Sequence, residues 1–442
     1  MVRLTPLRLL LCAAVALCTF FFSSFIPCLL RRERGYDTFH ERPSARFRPV
    51  PNVHFGEECS PFTAGVLDDV TLVLKIGAGE AVTRLPAYLK QRGRCKQDLL
   101  IFSDRKDNYN GFEIADALAH LPAEYRSNNP DFDVYDRIQA ADGPETVPNK
   151  SDDGWRLDKY KFLPMVEWTA YKRPKSQWYI FIELDTYANY DNLYRFLASF
   201  SPKSAYYFGS PVWPEKGTVF AHGGTGFILS RAAMDKIIAL GRTFGEDKHI
   251  PGTHFFGVDM KKQCCGDETL AQVLKKSGVP LRGYWPMFNG EKPSTVRFDK
   301  EQWCEAIITM HHLQEDDFTS LSQWESARLN PNKPLTFEEL FTMIEPHLQE
   351  KAADWSNLSE DVFYTSIESF DNCYKACLKD GSCMQFEHSG TECRLGYSVR
   401  LGHHQLPTDE RKWTSGWMLG RIKTFKQAHS PCHGAHFVHA NP

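Results

Sequence analysis

The sequence predicts an α/β fold built on a parallel sheet, followed by a small cysteine-rich segment. Three observations carry this. Trp178 to Ile182 is an apolar run suited to a strand buried on both faces, and it ends in two carboxylates, Glu183 and Asp185. Between Val70 and Phe102 an apolar strand, a segment with helical spacing and a second strand follow one another, the order of a parallel strand–helix–strand unit. Near the end of the chain, five of the 13 cysteines fall between Cys373 and Cys432, which suits a disulfide-stapled unit.

The elements follow in order. Residues 31–68 carry Arg, Pro and Glu with little apolar periodicity and read as a stem. Val70 to Ile76 is a strand and Gly77 to Gly79 a turn. Glu80 to Gln91 is a helix with Val82, Leu85 and Leu89 at helical spacing, and Asp98 to Phe102 is a strand ending at Ser103-Asp104. Asn110 to Asp153 is polar, with one helix expected at Phe112 to Leu121. A helix over Lys159 to Tyr171 leads into the Trp178 strand. Asp191 to Phe200 is an amphipathic helix and Tyr206 to Gly209 a strand. Phe227 to Leu229 is a strand that turns at Ser230 into the helix Arg231 to Leu240, with Ser230 and Gly241 as caps. Glu268 to Lys276 is a helix closed near Gly278, and Ala306 to Met310 is an apolar strand leading to His311-His312. These elements set one domain at 69–330, a helical linker at 331–359 and a separate cysteine-rich module at 360–442.

The chain has 442 residues, 42% hydrophobic and 24% charged, enough for one large domain and a smaller one. A net charge of -3 provides no electrostatic footprint for nucleic acid, so that class of partner is set aside. An aromatic content of 13% suits a sugar-binding or a densely packed protein and does not separate the two.

From Leu9 to Leu30 no residue is charged, a stretch long enough to span a bilayer. Arg3 and Arg8 precede it and Arg31, Arg32 and Arg34 follow, so flanking charge leaves the orientation open. The stretch is longer than a signal-peptide core and lacks a small-residue cleavage site, so an uncleaved signal anchor at 9–30 is expected behind a tail at 1–8. Cys12, Cys18 and Cys28 lie in the anchor; the other ten cysteines are an even number and suit an oxidising lumen. Asn149-Lys150-Ser151 and Asn357-Leu358-Ser359 have the form of N-glycosylation acceptors. Together these features favour a short cytoplasmic tail and a lumenal body.

Glu183 and Asp185 stand at the carboxyl end of a strand, where open α/β sheets bind ligands. Two close carboxylates can hold a hard divalent ion, and such an ion a diphosphate; a strand end followed by a polar turn is the plain alternative. His311-His312 can supply a third ligand, a satisfied surface or core histidine being the alternative, and a mixed carboxylate and imidazole set suits manganese better than magnesium or calcium. Gly223, Gly224 and Gly226, beside His222, either let a backbone approach a ligand closely or form a tight turn into the Phe227 strand. The segment lacks the Lys-Ser/Thr ending of a P-loop and precedes a strand, so nucleotide triphosphatase chemistry is rejected. Asp267 sits just ahead of a helix, as an N-cap and, compatibly, as a general base beside a sugar acceptor. The neighbouring Cys264-Cys265 pair lacks zinc-site spacing and suits disulfides.

Taken in order, these pieces resemble glycosyltransferase family 31, the fringe-like and core-1 β1,3-galactosyltransferase group, in its fungal form. The resemblance rests on Lys75-Ile76-Gly77, Leu100 to Asp104, Gly154 to Phe162, Trp178 to Tyr187, Phe220 to Arg231, Cys265-Gly266-Asp267, Trp285 to Gly290 and Thr309 to His312. It implies a GT-A nucleotide-sugar domain with a mixed, mostly parallel central sheet, and a type II Golgi membrane protein whose catalytic domain is lumenal. It implies that Asp185, at the third position of the family's acidic motif, binds the ion with His311. Glu183 takes the first position, and His312 falls where relatives vary. Asp267 is implied as the base, although Gly266 stands where many relatives have another acid.

The chemistry so implied uses a UDP-sugar, first of all UDP-galactose, and Mn2+ across its two phosphates. Asp267 deprotonates a hydroxyl of a glycan or glycoprotein acceptor, an N-acetylgalactosaminide among the acceptors allowed, and a single displacement gives a β linkage. Arg84, Lys161 and Asp104 are expected on the donor side, Arg84 and Lys161 being equally well surface charges. His222, Gly223, Gly224 and Trp285 are expected to line the acceptor, with packing as the alternative for Trp285. The tail from Cys373 to Cys393 is similar to a PAN/apple module; a disulfide-stapled cap is the alternative. The competing function is a catalytically inert, membrane-tethered carbohydrate-binding protein that acts through that tail. The membrane is a partner through residues 9–30, and a homodimer is allowed.

Overall fold

The computed structural model describes residues 67–91, 99–121, 126–143, 152–242, 260–330, 333–409, 411–437 and 440. The expected anchor, nearly all of the stem and the Asn149 sequon lie outside them. Among the described residues no helix is long and apolar enough to cross a membrane.

The chain begins with β1 (Val70–Lys75), and the expected single helix is two, α1 (Glu80–Thr83) and α2 (Leu85–Gln91). Pro86 has no N–H to carry the helical ladder across the junction. After β2 (Leu100–Ser103), the helix expected at Phe112 to Leu121 is absent. In its place β3 (Asp107–Tyr109) and β4 (Phe112–Asp116) form a hairpin. Asn110 and Gly111 make its turn at φ 48° and 88°. Asn-Gly is the pair that such a two-residue turn favours, and it overrides the apolar spacing downstream.

Then come α3 (Asp131–Ala140), α4 (Asp152–Lys172), β5 (Trp178–Glu183), β6 (Tyr187–Ala188), α5 (Tyr190–Leu197) and β7 (Tyr207–Gly209). The short pair β8 (Pro211–Val212) and β9 (Phe220–Ala221) precedes β10 (Phe227–Ser230), α6 (Arg231–Arg242), α7 (Gly266–Lys276) and β11 (Leu281–Gly283). The strand expected over Ala306 to Met310 shrinks to β12 (Thr309–Met310), followed by α8 (Glu315–Ser326) and α9 (Phe337–Ile344).

The central sheet has eight strands in the order β11-β7-β10-β5-β1-β2-β4-β3. β11, β7, β5, β1, β2 and β4 point the same way, and only β10 and β3 are reversed, so the sheet is mixed and mainly parallel. Alternation along the central strands fills two cores. Leu72, Leu74, Ile180 and Ile182 face α5 and the 284–341 segment, whereas Val73, Tyr179 and Phe181 face α3, α4, α6 and α7. Each such aliphatic or aromatic side chain contributes about 1.5–3 kcal/mol when fully buried. Phe181 stacks on Phe227 of the antiparallel neighbour at 4.6 Å between centroids.

The C-terminal part holds β13 (Ala352–Ala353), β14 (Trp355–Ser356), β15 (Val362–Tyr364), α10 (Phe370–Lys379), β16 (Gln385–Ser389), β17 (Glu392–Gly396), β18 (His403–His404), β19 (Trp413–Trp417) and α11 (Leu419–His429). Its antiparallel sheet runs β13-β19-β16-β17-β15, and α10 is fastened to it by Cys373–Cys393 and Cys377–Cys383. The second half of this segment also enters the main core, with Val399, Trp417, Ile422 and Phe437 joining Ile307 and Phe341. Cys304–Cys432 closes the same junction. The Asn357 sequon is corrected here. Asn357 is 0% exposed and its amide donates to the carbonyls of Phe386 and Gly416, so the folded chain leaves no room for a glycan on it.

Candidate functional site

The two residues expected to share an ion come together through β6 and β12. β5 leaves the sheet at Glu183, and a turn closed by the Thr186 N–H on the Glu183 carbonyl (3.1 Å) carries the chain past Asp185 into β6. β6 pairs antiparallel with β12, Tyr187 opposite Met310. Beyond that pair the ladder is interrupted at His312, and the Leu313 N–H donates to the Asp185 carbonyl at 3.1 Å. The His311 Nε2 and the Asp185 Oδ1 lie 3.2 Å apart, and the two residues are 6% and 8% exposed. Burial alone would raise the Asp185 pKa. The His311 hydrogen bond and the charges of His311, Arg84 and His312 outweigh it and hold the carboxyl at about 2.

Gly224 makes room for this pair. A Cβ there would lie 2.2 Å from His311 Cε1, so no other residue lets the imidazole sit where it does. The glycine run is fixed by Thr186 Oγ1 donating to the Gly224 carbonyl and Thr309 Oγ1 to the Thr225 carbonyl, both at 2.7 Å. Its residues Gly223–Thr225 form a 3-10 turn ahead of β10, capped by His222, whose Nδ1 accepts from the Thr225 N–H at 3.2 Å. His222 faces His311 at 5.5 Å between rings, and burial, then the charges of His311 and His312, push its pKa down to about 4. It is a neutral imidazole near pH 7.

Asp267 lies on the other side of the glycine run. It was expected at the N-cap, but Cys265 is the N-cap and Asp267 is the second residue of α7. The helix starts two residues early because Gly266 packs directly on α4, where a Cβ would lie 2.3 Å from Phe162 and 2.7 Å from the Lys159 carbonyl. Asp267 Oδ2 accepts from the Gly223 N–H at 3.0 Å and Oδ1 from the Glu268 N–H at 2.9 Å. Burial raises its pKa against the opposing pull of those two donors. Asp267 and His311 thus meet the same turn, Asp267 at the Gly223 N–H and His311 against Gly224. Cys264 and Cys265, just upstream, are bonded to each other.

Glu183 does not join Asp185. Its carboxylate meets Lys75 Nζ at 3.1 Å, and Lys75 also holds Asp158 at 2.6 Å. Lys161 pairs with Asp104 at 2.9 Å, lies 3.7 Å from Asp158 and donates to the Ile76 carbonyl. Asp104 Oδ1 accepts from the Ala78 N–H at 2.7 Å. Burial would lower both lysines' pKa values, yet their carboxylate partners raise them. Asp158 is correspondingly held down by the two lysines against burial, while burial wins at Glu183 and raises it. This network ties the carboxyl ends of β1, β2 and β5 to α4. Two expected donor-side residues, Lys161 and Asp104, thus occupy each other. Lys75 and Asp158 were missed as members, although a lysine ending an apolar strand and an Asp three residues before a Lys on a helix are both visible signals.

Arg84 stands nearer the candidate ion site. Its Nη2 is 3.9 Å from Asp185 Oδ2 and donates to the Leu313 carbonyl, and its Nη1 holds Glu80 at 2.9 Å. It borders a cleft of about 370 Å³ whose walls include Glu80, Tyr88, Leu184, Leu313 and Phe318. Trp285 follows β11 and is 43% exposed. Its segment runs beside β12, with the Asn289 N–H on the Thr309 carbonyl at 3.0 Å.

The residues present fit a divalent cation. A buried carboxylate and imidazole converge, His311 Nδ1 is buried with no hydrogen-bond partner among the described residues, and Gly224 supplies the space. A family model described as Fringe-like matches residues 136–289, from α3 to the Trp285 segment. Fringe-like proteins are glycosyltransferases, generally of the secretory pathway, and the match suggests a glycosyltransferase, supporting a hexosyltransferase. The matched span includes Asp185, Gly224 and Asp267; Arg84 and His311 lie outside it. No curated protein matches the chain.

Proposed function

We propose that this protein is an inverting, divalent-cation-dependent hexosyltransferase, moving galactose from UDP-galactose in β1,3 linkage onto a glycan or glycoprotein acceptor. We place it in the Golgi as a type II membrane protein anchored by residues 9–30. The observation that carries the reading is the 3.2 Å approach of His311 to Asp185, with Asp267 held on the adjacent peptide of the same glycine turn. Asp185 and His311 would hold the cation, by preference Mn2+. When bound, it supplies positive charge against a diphosphate leaving group.

The chain's own groups do the rest. Arg84 adds a cation beside Asp185, at the edge of a cleft large enough for part of a nucleotide. Asp267, made more basic by burial, removes the proton from the attacking acceptor hydroxyl. The N–H groups of Gly223 and Glu268 fix the carboxylate's direction. Neutral His222 and Trp285 offer a polar edge and an exposed ring to an acceptor sugar. The lysine–carboxylate network keeps the strand ends rigid beneath. Residues 360–442 are proposed as a PAN/apple-like module on the strength of α10 and its two disulfides.

The test is UDP release from UDP-galactose by the full chain, with Mn2+ and then with chelator. Cation-stimulated turnover that falls at least about 100-fold in Asp185→Ala supports the reading. Turnover unchanged by both chelation and that substitution overturns it. An absence of turnover with every common UDP-sugar, together with glycan binding, favours the inert carbohydrate-binding protein.

A further inference from the structure

The sequence offers His311-His312 together as a source of a ligand, and the family resemblance assigns the role to His311 alone; neighbours on an extended strand would point to opposite faces. The fold breaks that rule. His312 has φ 64°, a left-handed backbone that a non-glycine residue rarely adopts. The turn swings its ring back beside that of His311, with centroids 3.9 Å apart. One ligand atom from each of Asp185, His311 and His312 lies within 4.8 Å of the others. The hydrogen bond from the Leu313 N–H to the Asp185 carbonyl, at 3.1 Å, holds the Asp185 backbone beside the two histidines. His311 is buried, whereas His312 is exposed.

We infer that His312 is a third protein ligand, giving the site two imidazoles and one carboxylate. The inference rests on the proposed cation site and deepens it. Imidazole favours later first-row ions, whereas carboxylate and water favour manganese. A second imidazole therefore adds more affinity for Co2+ than for Mn2+. The structure thus assigns this chain a more nitrogen-rich site than Asp185 and His311 alone would form, and a wider choice of ion.

The experiment titrates Co2+, and separately Mn2+, into the full chain in detergent, read by calorimetry and by the visible absorption of bound Co2+. Wild type is compared with His312→Gly and His312→Asn, both tolerant of a positive φ, and with His311→Ala. Losing a direct ligand costs at least about 10-fold in affinity, the lower end of what outer-shell changes cost. His312→Gly is expected to weaken Co2+ by that much or more, to weaken Mn2+ less, and to alter the Co2+ spectrum, with an unchanged melting temperature. If both His312 variants bind Co2+ and Mn2+ as wild type does while His311→Ala does not, the third ligand is refuted and the proposed site stands. If His311→Ala also binds as wild type does, the cation site itself falls.

Discussion

At Gly224 one hydrogen in place of a methyl group decides whether His311 can face Asp185. A Cβ there would meet the imidazole at 2.2 Å from Cε1, 2.4 Å from Nε2 and 2.9 Å from Nδ1. The buried ring must then turn away from the carboxylate. Gly224→Ala should therefore weaken cation affinity at least about 10-fold, measured by calorimetry, while circular dichroism stays that of the wild type. Asp267 governs a different observable. Asp267→Asn keeps the shape and one of the two backbone hydrogen bonds, its amide nitrogen being unable to accept the other, and it cannot take a proton, so kcat should fall by about 10²–10⁴-fold with cation binding intact. The pH profile has a definite sign. The reactive form is the carboxylate, and burial raises its pKa, so activity is lost as pH falls through that raised value. The acid limb of kcat/KM should sit above the ordinary carboxylate range of about 4 and vanish in Asp267→Asn.

At the scale of elements, α4 carries both support and a cost. Its Asp158 and Lys161 organise the strand ends, whereas Glu167 points into the apolar core, and its Oε2 has no partner among the described residues. Burial pushes the Glu167 pKa up to about 9. Because the folded value exceeds the unfolded one, the associated stability is present at low pH and is lost as pH rises toward about 9. Glu167→Gln should therefore raise the melting temperature by a few degrees near about pH 8 and by less near about pH 5. Most of the elements were legible because their signals are local. The β5 run, the Glu268 to Lys276 helix and the carboxylates ending β5 need only burial and spacing to be seen. The β3–β4 hairpin was hidden by apolar residues at helical spacing, although Asn110-Gly111 marks its turn. His312 and the Lys75–Asp158–Lys161 network were hidden for another reason. A left-handed residue and a cross-element ion pair are decided by partners far along the chain, which no local pattern records. Asp185 and His311 were joined as candidate ligands by residue type and by a family resemblance, and the β6–β12 pairing supplies the physical reason.

At the scale of the molecule, the cysteine-rich tail behaves as a brace. Val399 pairs with Phe298, and the Gly402 N–H donates to the Ser294 carbonyl at 2.6 Å. Arg297 binds Glu360 and Asp361, and Lys426 binds Glu345. Ser294 belongs to the same loop as Glu291, whose carbonyl receives the His311 N–H at 3.3 Å. The tail is therefore a few peptides from the candidate cation ligand. Cys304–Cys432 locks this junction across a separation of 128 residues, a long loop whose closure restricts the unfolded chain strongly. The double variant Cys304→Ser, Cys432→Ser should lose about 2–5 kcal/mol in denaturant unfolding. Truncation after residue 359 should do more, because it strips Val399, Trp417, Ile422 and Phe437 from the main core at about 1.5–3 kcal/mol each. That loss is comparable to the whole stability of an ordinary domain, about 5–15 kcal/mol. The truncated chain should be protease-sensitive and lack cation binding. A protease-resistant truncation with wild-type cation affinity would instead make the tail an appendage, and the path from Gly402 through Ser294 to His311 would carry no stability.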